Sequence, residues 1–275
     1  MSRIWFITGI SSGLGKSLFE EVIKTGDIAI GTFRKTEQVE EFNQRNLTNA
    51  HTYKMDVTKI EDIHFVYNSI LEKYNKIDVL VNNAGIGFAG AIEETSIEDT
   101  RRILETNFFG ALNVTQTFLP MFRKNKSGHI FQISSHGGIR SFAGFGIYNA
   151  SKYALEGFSE ALAQEIAPLG IKLTIVEPGP FRTNFASTEF GFASSIIKDY
   201  NSTAGAFRER MKSVNGKQEG DPQKAAKAII QMSNSEKPSL RLPLGKIAIA
   251  VITSKLESVQ NDLLLNKDLS ESTVY

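Results

Sequence analysis

The stretch Arg3-Ile4-Trp5-Phe6-Ile7-Thr8-Gly9-Ile10-Ser11-Ser12-Gly13-Leu14-Gly15 decides the fold. Ile4 to Thr8 form a short apolar run, as a buried strand requires, and helical spacing takes over from Leu14 to Lys24. Three glycines lie between. Glycine there permits a tight turn, lets backbone N–H groups approach a pyrophosphate, and aims the positive end of the next helix at it. Many βα turns carry glycine for conformational reasons alone. The strand before and the helix after favour a dinucleotide loop, with Gly9, Ser11, Ser12, Gly13, Leu14 and Gly15 as its candidate contacts.

Outward from this loop the pattern repeats. Apolar, β-rich runs recur at Ile28 to Thr32, His51 to Met55, Ile77 to Val81, His129 to Ser134 and Ile171 to Glu177, with helical patterns between them. Such alternation predicts an α/β chain: a single-domain Rossmann fold whose doubly wound parallel sheet carries helices on both faces. No flexible linker or internal repeat divides the 275 residues. We read residues 1–245 as one domain and 246–275 as an extension. Within it Ile247 to Leu265 has near-helical spacing, and Asn266 to Tyr275 is polar and expected to be loose.

Composition narrows the function. A hydrophobic fraction of 41% can fill a sizeable core, and a net charge of +1 gives no general attraction to nucleic acid or acidic membranes. The chain has no cysteine, so disulfides and thiolate chemistry are excluded. No apolar run approaches the roughly 18 residues of a membrane span. The glycine loop begins too early to leave room for a signal peptide, and a cytoplasmic setting is expected. The four histidines are scattered without ligand spacing, so no metal is expected.

Tyr148 and Lys152 stand four residues apart on a predicted helix, thirteen positions after Ser135. That spacing sets a phenol and an ammonium on adjacent turns of one face. A phenol is a poor acid near neutrality; lowering its pKa from about 10 to about 7 takes roughly 4 kcal/mol, which a unit charge about 4 Å away at an effective dielectric of about 20 nearly supplies. The lysine is therefore expected to bring the phenol down. Nearly every other chemically suggestive residue follows a strand: Asn83, Ala84 and Gly85 after the fourth, Ser135 after the fifth, Pro178 and Gly179 after the sixth. These would gather at the carboxyl ends of the strands, where doubly wound sheets bind ligands.

At these positions the sequence resembles the short-chain dehydrogenase/reductase family over nearly all of residues 1–245. Thr8-Gly9-Ile10-Ser11-Ser12-Gly13-Leu14-Gly15, Asn82-Asn83-Ala84-Gly85 and Tyr148-Asn149-Ala150-Ser151-Lys152 match its motifs. The stretch from Gly137 to Leu169 looks most like the steroid- and retinol-dehydrogenase-like branch. The resemblance implies hydride transfer between a nicotinamide and a small-molecule carbonyl or alcohol. It makes Asn107, Ser135, Tyr148 and Lys152 the catalytic set, with Tyr148 as general acid or base. It has Lys152 also bind the nicotinamide ribose, Asn107 help hold a water linking the lysine to solvent, and Pro178, Gly179, Phe181 and Thr183 hold the nicotinamide. Asp56, with Val57, would contact the adenine, or else serve the helix that begins two residues later. Asn83 reads as a tie between strands rather than as chemistry. Ser135 by itself also reads as a turn residue. Family members are commonly dimers or tetramers, implying a homodimer or homotetramer.

Cofactor choice follows from charge at the end of the second strand. An NAD enzyme usually carries an acid there for the ribose 2′-hydroxyl. Here Thr32 occupies the position, and Arg34 and Lys35 follow. A guanidinium suits a 2′-phosphate, so NADP(H) is expected over NAD(H), unless both cations are merely solvated. Between Thr183 and Asp221 a long connection, a candidate lid over about 184–220, carries Phe185, Phe190, Phe192, Tyr200 and Phe207. With Phe88, Phe142, Phe145 and the wall residue His136 these suggest an apolar substrate, although lid aromatics also serve to pack a lid down. The same fold serves silent dinucleotide sensors, and the intact set of Asn107, Ser135, Tyr148 and Lys152 favours an enzyme.

Overall fold

A computed structural model describes residues 2–183, 190–214 and 216–275. Seven parallel strands form its central sheet in the order β3-β2-β1-β4-β6-β7-β9. These are β1 (Ile4–Ile7), β2 (Ile28–Phe33), β3 (Ala50–Lys54), β4 (Val79–Asn82), β6 (Gly128–Ile133), β7 (Ile171–Pro178) and β9 (Arg241–Leu244). The strand order reverses between β1 and β4, so the loops after these two strands lie side by side at the switch point where doubly wound sheets bind ligands.

The alternation of side chains along the strands builds two cores. Ile4 and Phe6 of β1 join Ile30, Leu80, Ile130 and Ile175 on one face. There they meet helices α3 (Ile60–Tyr74), α5 (Gly110–Asn125) and α6 (Gly146–Ile166). Trp5 and Ile7 point the other way, with Val81, Phe131 and Val176. They pack on α1 (Gly13–Lys24), α2 (Thr36–Asn43) and α8 (Pro222–Ser233). Trp5 is fully buried, and its indole N–H donates to Asp27 Oδ2 at 3.0 Å, which removes the cost of an unpaired polar atom.

The predicted fold is observed, with additions. The seventh strand, β9, lies outside the six apolar runs of the sequence: it is four residues long, contains Pro243 and, among the described residues, pairs with β7 alone. An edge position tolerates the missing proline N–H. A second, two-stranded sheet joins β5 (Gly87–Ala89) to β8 (Phe190–Phe192), tying the long connection to the body. The connection continues through α7 (Ala206–Ser213), whose Arg208 makes a buried ion pair with Glu94 at 2.5 Å. The C-terminal extension forms α9 (Lys246–Leu265) as expected, but the stretch expected to be loose contains a further helix, α10 (Lys267–Glu271). Among the described residues no helix is long and apolar enough to cross a membrane.

Candidate active site

Strand β1 delivers the glycine loop to the N-terminus of α1. Gly9 and Gly13 adopt φ of +71° and +63°, which side chains with a Cβ rarely tolerate. A Cβ at Gly15 would lie 2.2 Å from Asn83 Nδ2 and 2.5 Å from Gly9 O, so the loop and the segment after β4 can approach only without one. Asn83 donates from Nδ2 to Thr8 O and Gly9 O at 2.9 and 2.8 Å. This is the structural tie expected of it. Thr8 completes the stitch, its hydroxyl accepting from the N–H groups of Asn83 and Ala84 at 3.0 Å each.

The first turn of α1 is left open. Ser12 is its N-cap but makes no side-chain capping bond, and no acidic residue lies in that turn. An N-terminus of this kind favours an anion. Thr183 lies against Gly13, with its Cβ 3.4 Å from where a Gly13 Cβ would sit. A groove of about 270 Å³ runs past Ser11, Ser12, Gly13, Lys16, Arg182 and Thr183. The N-terminus of α1, hydroxyls and the cations Lys16 and Arg182 fit the diphosphate of a dinucleotide, with the Glu20 carboxylate, 4.0 Å from Lys16 Nζ, also on the wall.

Other expected cofactor residues differ in what their side chains are free to do. Strand β2 runs one residue beyond Thr32, and Thr32 is buried, its hydroxyl accepting from Gly9 N at 3.2 Å. It supports the loop from beneath rather than standing at the rim. Arg34 and Lys35 follow on the surface. Asp56 accepts from the Thr58 N–H and hydroxyl at 3.0 and 2.8 Å, so one carboxylate oxygen shapes the turn before α3. Val57 packs under Gly110 in the core, and the half-buried Phe181 packs against Gly220. Leu14 packs against the second core.

The expected catalytic residues come together. Ser135 follows β6, and Tyr148 and Lys152 lie on one face of α6. A Cβ at Gly137 would lie 3.3 Å from Ser135 Oγ and 3.6 Å from Tyr148 Cε1, so the two side chains meet over this glycine, and Lys152 Nζ lies 5.9 Å from the Tyr148 ring centroid. Lys152 Nζ donates to Ile133 O at 2.8 Å, just two residues before Ser135. Ser135 Oγ also accepts from Gly137 N at 3.0 Å, so its reading as a turn residue and its proximity to Tyr148 both hold. His136 stands beside it, its Nδ1 3.0 Å from Pro178 O and its ring 5.4 Å from that of Phe142. Burial holds the imidazole below its ordinary pKa, which fits a neutral ring donating to that carbonyl.

The electrostatics correct one expectation. The phenol is not brought down: burial pushes it up to about 12, against the lowering effect of the Ser135 hydrogen bond. The ammonium itself is depressed by burial to about 8, with Glu156 raising it. At nearly complete burial, desolvation of the charged forms outweighs a single neighbouring charge.

Asn107 is buried at 1% exposure although Phe109 beside it is exposed. It lies in a π-helical turn, Glu105–Phe109, between α4 (Ile97–Leu104) and α5. Its Oδ1 accepts from Ile86 N at 2.8 Å, and its Nδ2 donates to Ile86 O and Ser151 Oγ at 2.9 and 3.0 Å. The turn is thereby fixed to the helix that carries Tyr148 and Lys152.

Aromatic side chains close the other side. Phe145 stacks on Tyr148, and Phe190, Phe207 and Phe192 extend the cluster, with Phe142 packed against it. Phe185 lies outside the described residues. Two expected members are absent from the cluster: Phe88 packs with Ile86 and Ile103, because strand alternation turns Ala89 toward Tyr148, and Tyr200 donates its hydroxyl to Glu93 at 2.7 Å. Among the described residues no group of three His, Cys, Asp or Glu could hold a metal ion.

Sequence reading missed several supports. Asn149 is buried, donating to Gly137 O at 2.7 Å and accepting from Phe142 N at 3.1 Å, and so holds the loop after Ser135 onto α6. Glu156 was visible as the next four-residue step after Tyr148 and Lys152. Its partners, Glu177 and Arg241, come from strands that only the fold brings near.

Comparison with known proteins agrees with this geometry. The family model described as short chain dehydrogenase matches residues 3–191. Oxidoreductase BOA17 of Botryotinia fuckeliana is 37% identical over 250 residues, covering 90% of this chain and 91% of the relative. A 3-ketodihydrosphingosine reductase of Bacteroides thetaiotaomicron is 34% identical over 258 residues, covering 93% and 92%. The crystal structure of a short-chain dehydrogenase from Streptomyces avermitilis superposes with a TM-score of 0.94 at 41% identity, over 100% of both chains. The chain belongs to the short-chain dehydrogenase/reductase family and is an oxidoreductase.

Proposed function

We propose that the protein is an NADP(H)-dependent oxidoreductase that interconverts a carbonyl and an alcohol on an apolar small molecule, with Tyr148 as general acid or base. The observation that carries this reading is the meeting of Ser135 and Tyr148 over Gly137, both buried, with Lys152 beside the phenol ring. When bound, the nicotinamide supplies or accepts the hydride. In the reducing direction Ser135 holds the substrate oxygen and Tyr148 gives it a proton; in oxidation the phenolate form of Tyr148 takes that proton. A phenol with a high pKa keeps its proton until charge develops on the substrate oxygen. Lys152 lends its positive charge to that moment and binds the ribose. A Cβ at Gly85 would lie 3.2 Å from Asn107 Oδ1 and 3.7 Å from Lys152 Nζ, so both polar atoms stand close over this glycine, in keeping with Asn107 acting beside the lysine.

The preference for NADP(H) rests on the cations of Arg34 and Lys35 at the end of β2. The apolar substrate rests on the rings around Tyr148, and a relative named as a 3-ketodihydrosphingosine reductase is in keeping with it. A screen of aliphatic, aryl and steroid ketones with NADPH, following the absorbance of the reduced nicotinamide, tests the proposal. Turnover of apolar ketones is the expected result. Turnover confined to small charged carbonyls, or none with any carbonyl or alcohol, would overturn it.

A further inference from the structure

Tyr148, Lys152, Glu156 and Glu160 follow one another at four-residue steps along α6 and so form one stripe of ionisable groups. Glu156 is buried at 4% exposure, one turn beyond Lys152. Arg241, at the start of β9, reaches three carboxylates at once: Glu156 Oε2 at 2.6 Å, Glu177 on β7, and Glu160. Glu177 is itself 1% exposed and directly precedes Pro178-Gly179. Two buried carboxylates thus share a single guanidinium, and one of them, Glu156, stands one turn from the lysine. The second oxygen, Glu156 Oε1, is buried beside the Ser134 hydroxyl. Gly138 keeps the space around it narrow, since a Cβ there would lie 3.0 Å from that oxygen and 2.6 Å from Ser134 Oγ. A desolvated carboxylate acts on nearby charge more strongly than one in water.

We propose that Glu156, clamped by Arg241 beside Glu177, is a positioning residue for Lys152: its carboxylate keeps the lysine charged next to Tyr148. The proposal rests on the reading of Lys152 given above, but concerns the lysine's charge rather than its chemistry. Burial alone acts to strip Lys152 of its proton, and Glu156 is the group that opposes this. Glu156 is in turn raised to about 7 by burial, with Glu177 adding to the rise and Ser134 and Arg241 opposing it. The groups facing the pair are therefore Tyr148 and Glu160 on α6, Glu177 on β7 and Arg241 on β9, with His136 beyond Ser135. Above pH 7 the carboxylate is ionised, and there it holds the ammonium against deprotonation.

The test follows the Lys152 Cε resonance in full-length protein carrying ¹³C-labelled lysine, assigned by its loss in Lys152→Arg, from pH 6 to 10. Glu156→Gln is expected to lower the lysine midpoint by about one pH unit, the scale of one nearby buried charge. Glu156→Asp should stay near the wild type, and Glu160→Gln should leave the midpoint unchanged. A midpoint unmoved in Glu156→Gln, or moved equally by Glu160→Gln, overturns the proposal. Should Glu156→Gln not fold, the wild-type curve decides: an early step near pH 7 reports Glu156 titrating beside the lysine, and a single-step curve contradicts it. NADPH affinity, read by fluorescence over the same range, separates the two readings. If the lysine midpoint moves and the affinity profile does not, Glu156 sets the charge as proposed and the ribose role of Lys152 is what fails.

Discussion

The rings of Phe145 and Tyr148 lie nearly parallel, with centroids 4.1 Å apart and planes 15° from one another. Phe207 and Phe190 stand behind Phe145, at 5.0 and 6.0 Å. The aromatic wall thus does two jobs: it shapes an apolar face beside the phenol, and it dries the phenol itself. Drying is the main cause of the raised pKa of Tyr148.

Phe145→Ala should therefore be costly before any substrate is considered. Removing a buried phenylalanine ring typically destabilises by about 3 to 5 kcal/mol, through lost transfer energy and the void left behind. Urea unfolding at pH 7 should give a loss of that size, with the midpoint shifted and the slope retained. A loss below about 1 kcal/mol would mean that the neighbouring rings collapse into the space and that the stack is dispensable.

His129 makes the fold acid-sensitive. Its Nε2 lies 3.0 Å from the Thr174 hydroxyl, which itself donates to Ser239 O, so Nε2 carries the proton and donates. Nδ1 is buried and has no partner among the described residues, and burial pushes the pKa down to about 3. Below about pH 6.5 the unfolded chain takes up a proton that the folded one refuses, so stability falls with pH down to about 3, by up to about 1.4 kcal/mol per unit. His129→Gln should remove one proton from the slope of unfolding free energy between pH 6 and 4. An unchanged slope would show that other groups govern acid unfolding.

Arg34→Ala tests cofactor choice. If the guanidinium meets the 2′-phosphate, the variant should lose about 1.5 to 3 kcal/mol of NADPH binding, the usual scale of a hydrogen bond to a charged group. NADH binding should scarcely change, and preference should fall by roughly one to two decades. Equal losses for both cofactors, or a wild type that prefers NADH, would contradict the assignment.

How far the sequence could be read depended on range. Local pattern was enough for six strands, the glycine loop and the residues gathered at the strand ends, because each announces itself within a few positions. It was enough for Asn83, whose bonds to Thr8 and Gly9 follow from two adjacent loops. It failed for β9, whose strand character comes from pairing with β7 rather than from its own residues. It failed for Phe88, since one residue of register decides which face of β5 meets Tyr148. It also misjudged the phenol, because the charge of Lys152 is legible at four residues' distance and the burial produced by Phe145, Phe190 and Phe207 is not. Arg241 joins α6 to β7 across more than sixty positions, and no local signal points to it.

Tyr148→Phe is the most direct measurement. It removes the phenolic proton and retains the ring stacked on Phe145, so the fold and the wall should persist. Hydride transfer from NADPH to a ketone that the wild type reduces should fall by about 10²- to 10⁴-fold, the usual contribution of a positioned acid, with NADPH affinity nearly unchanged. A variant that turns over at the wild-type rate would contradict the assignment of Tyr148 as the proton donor.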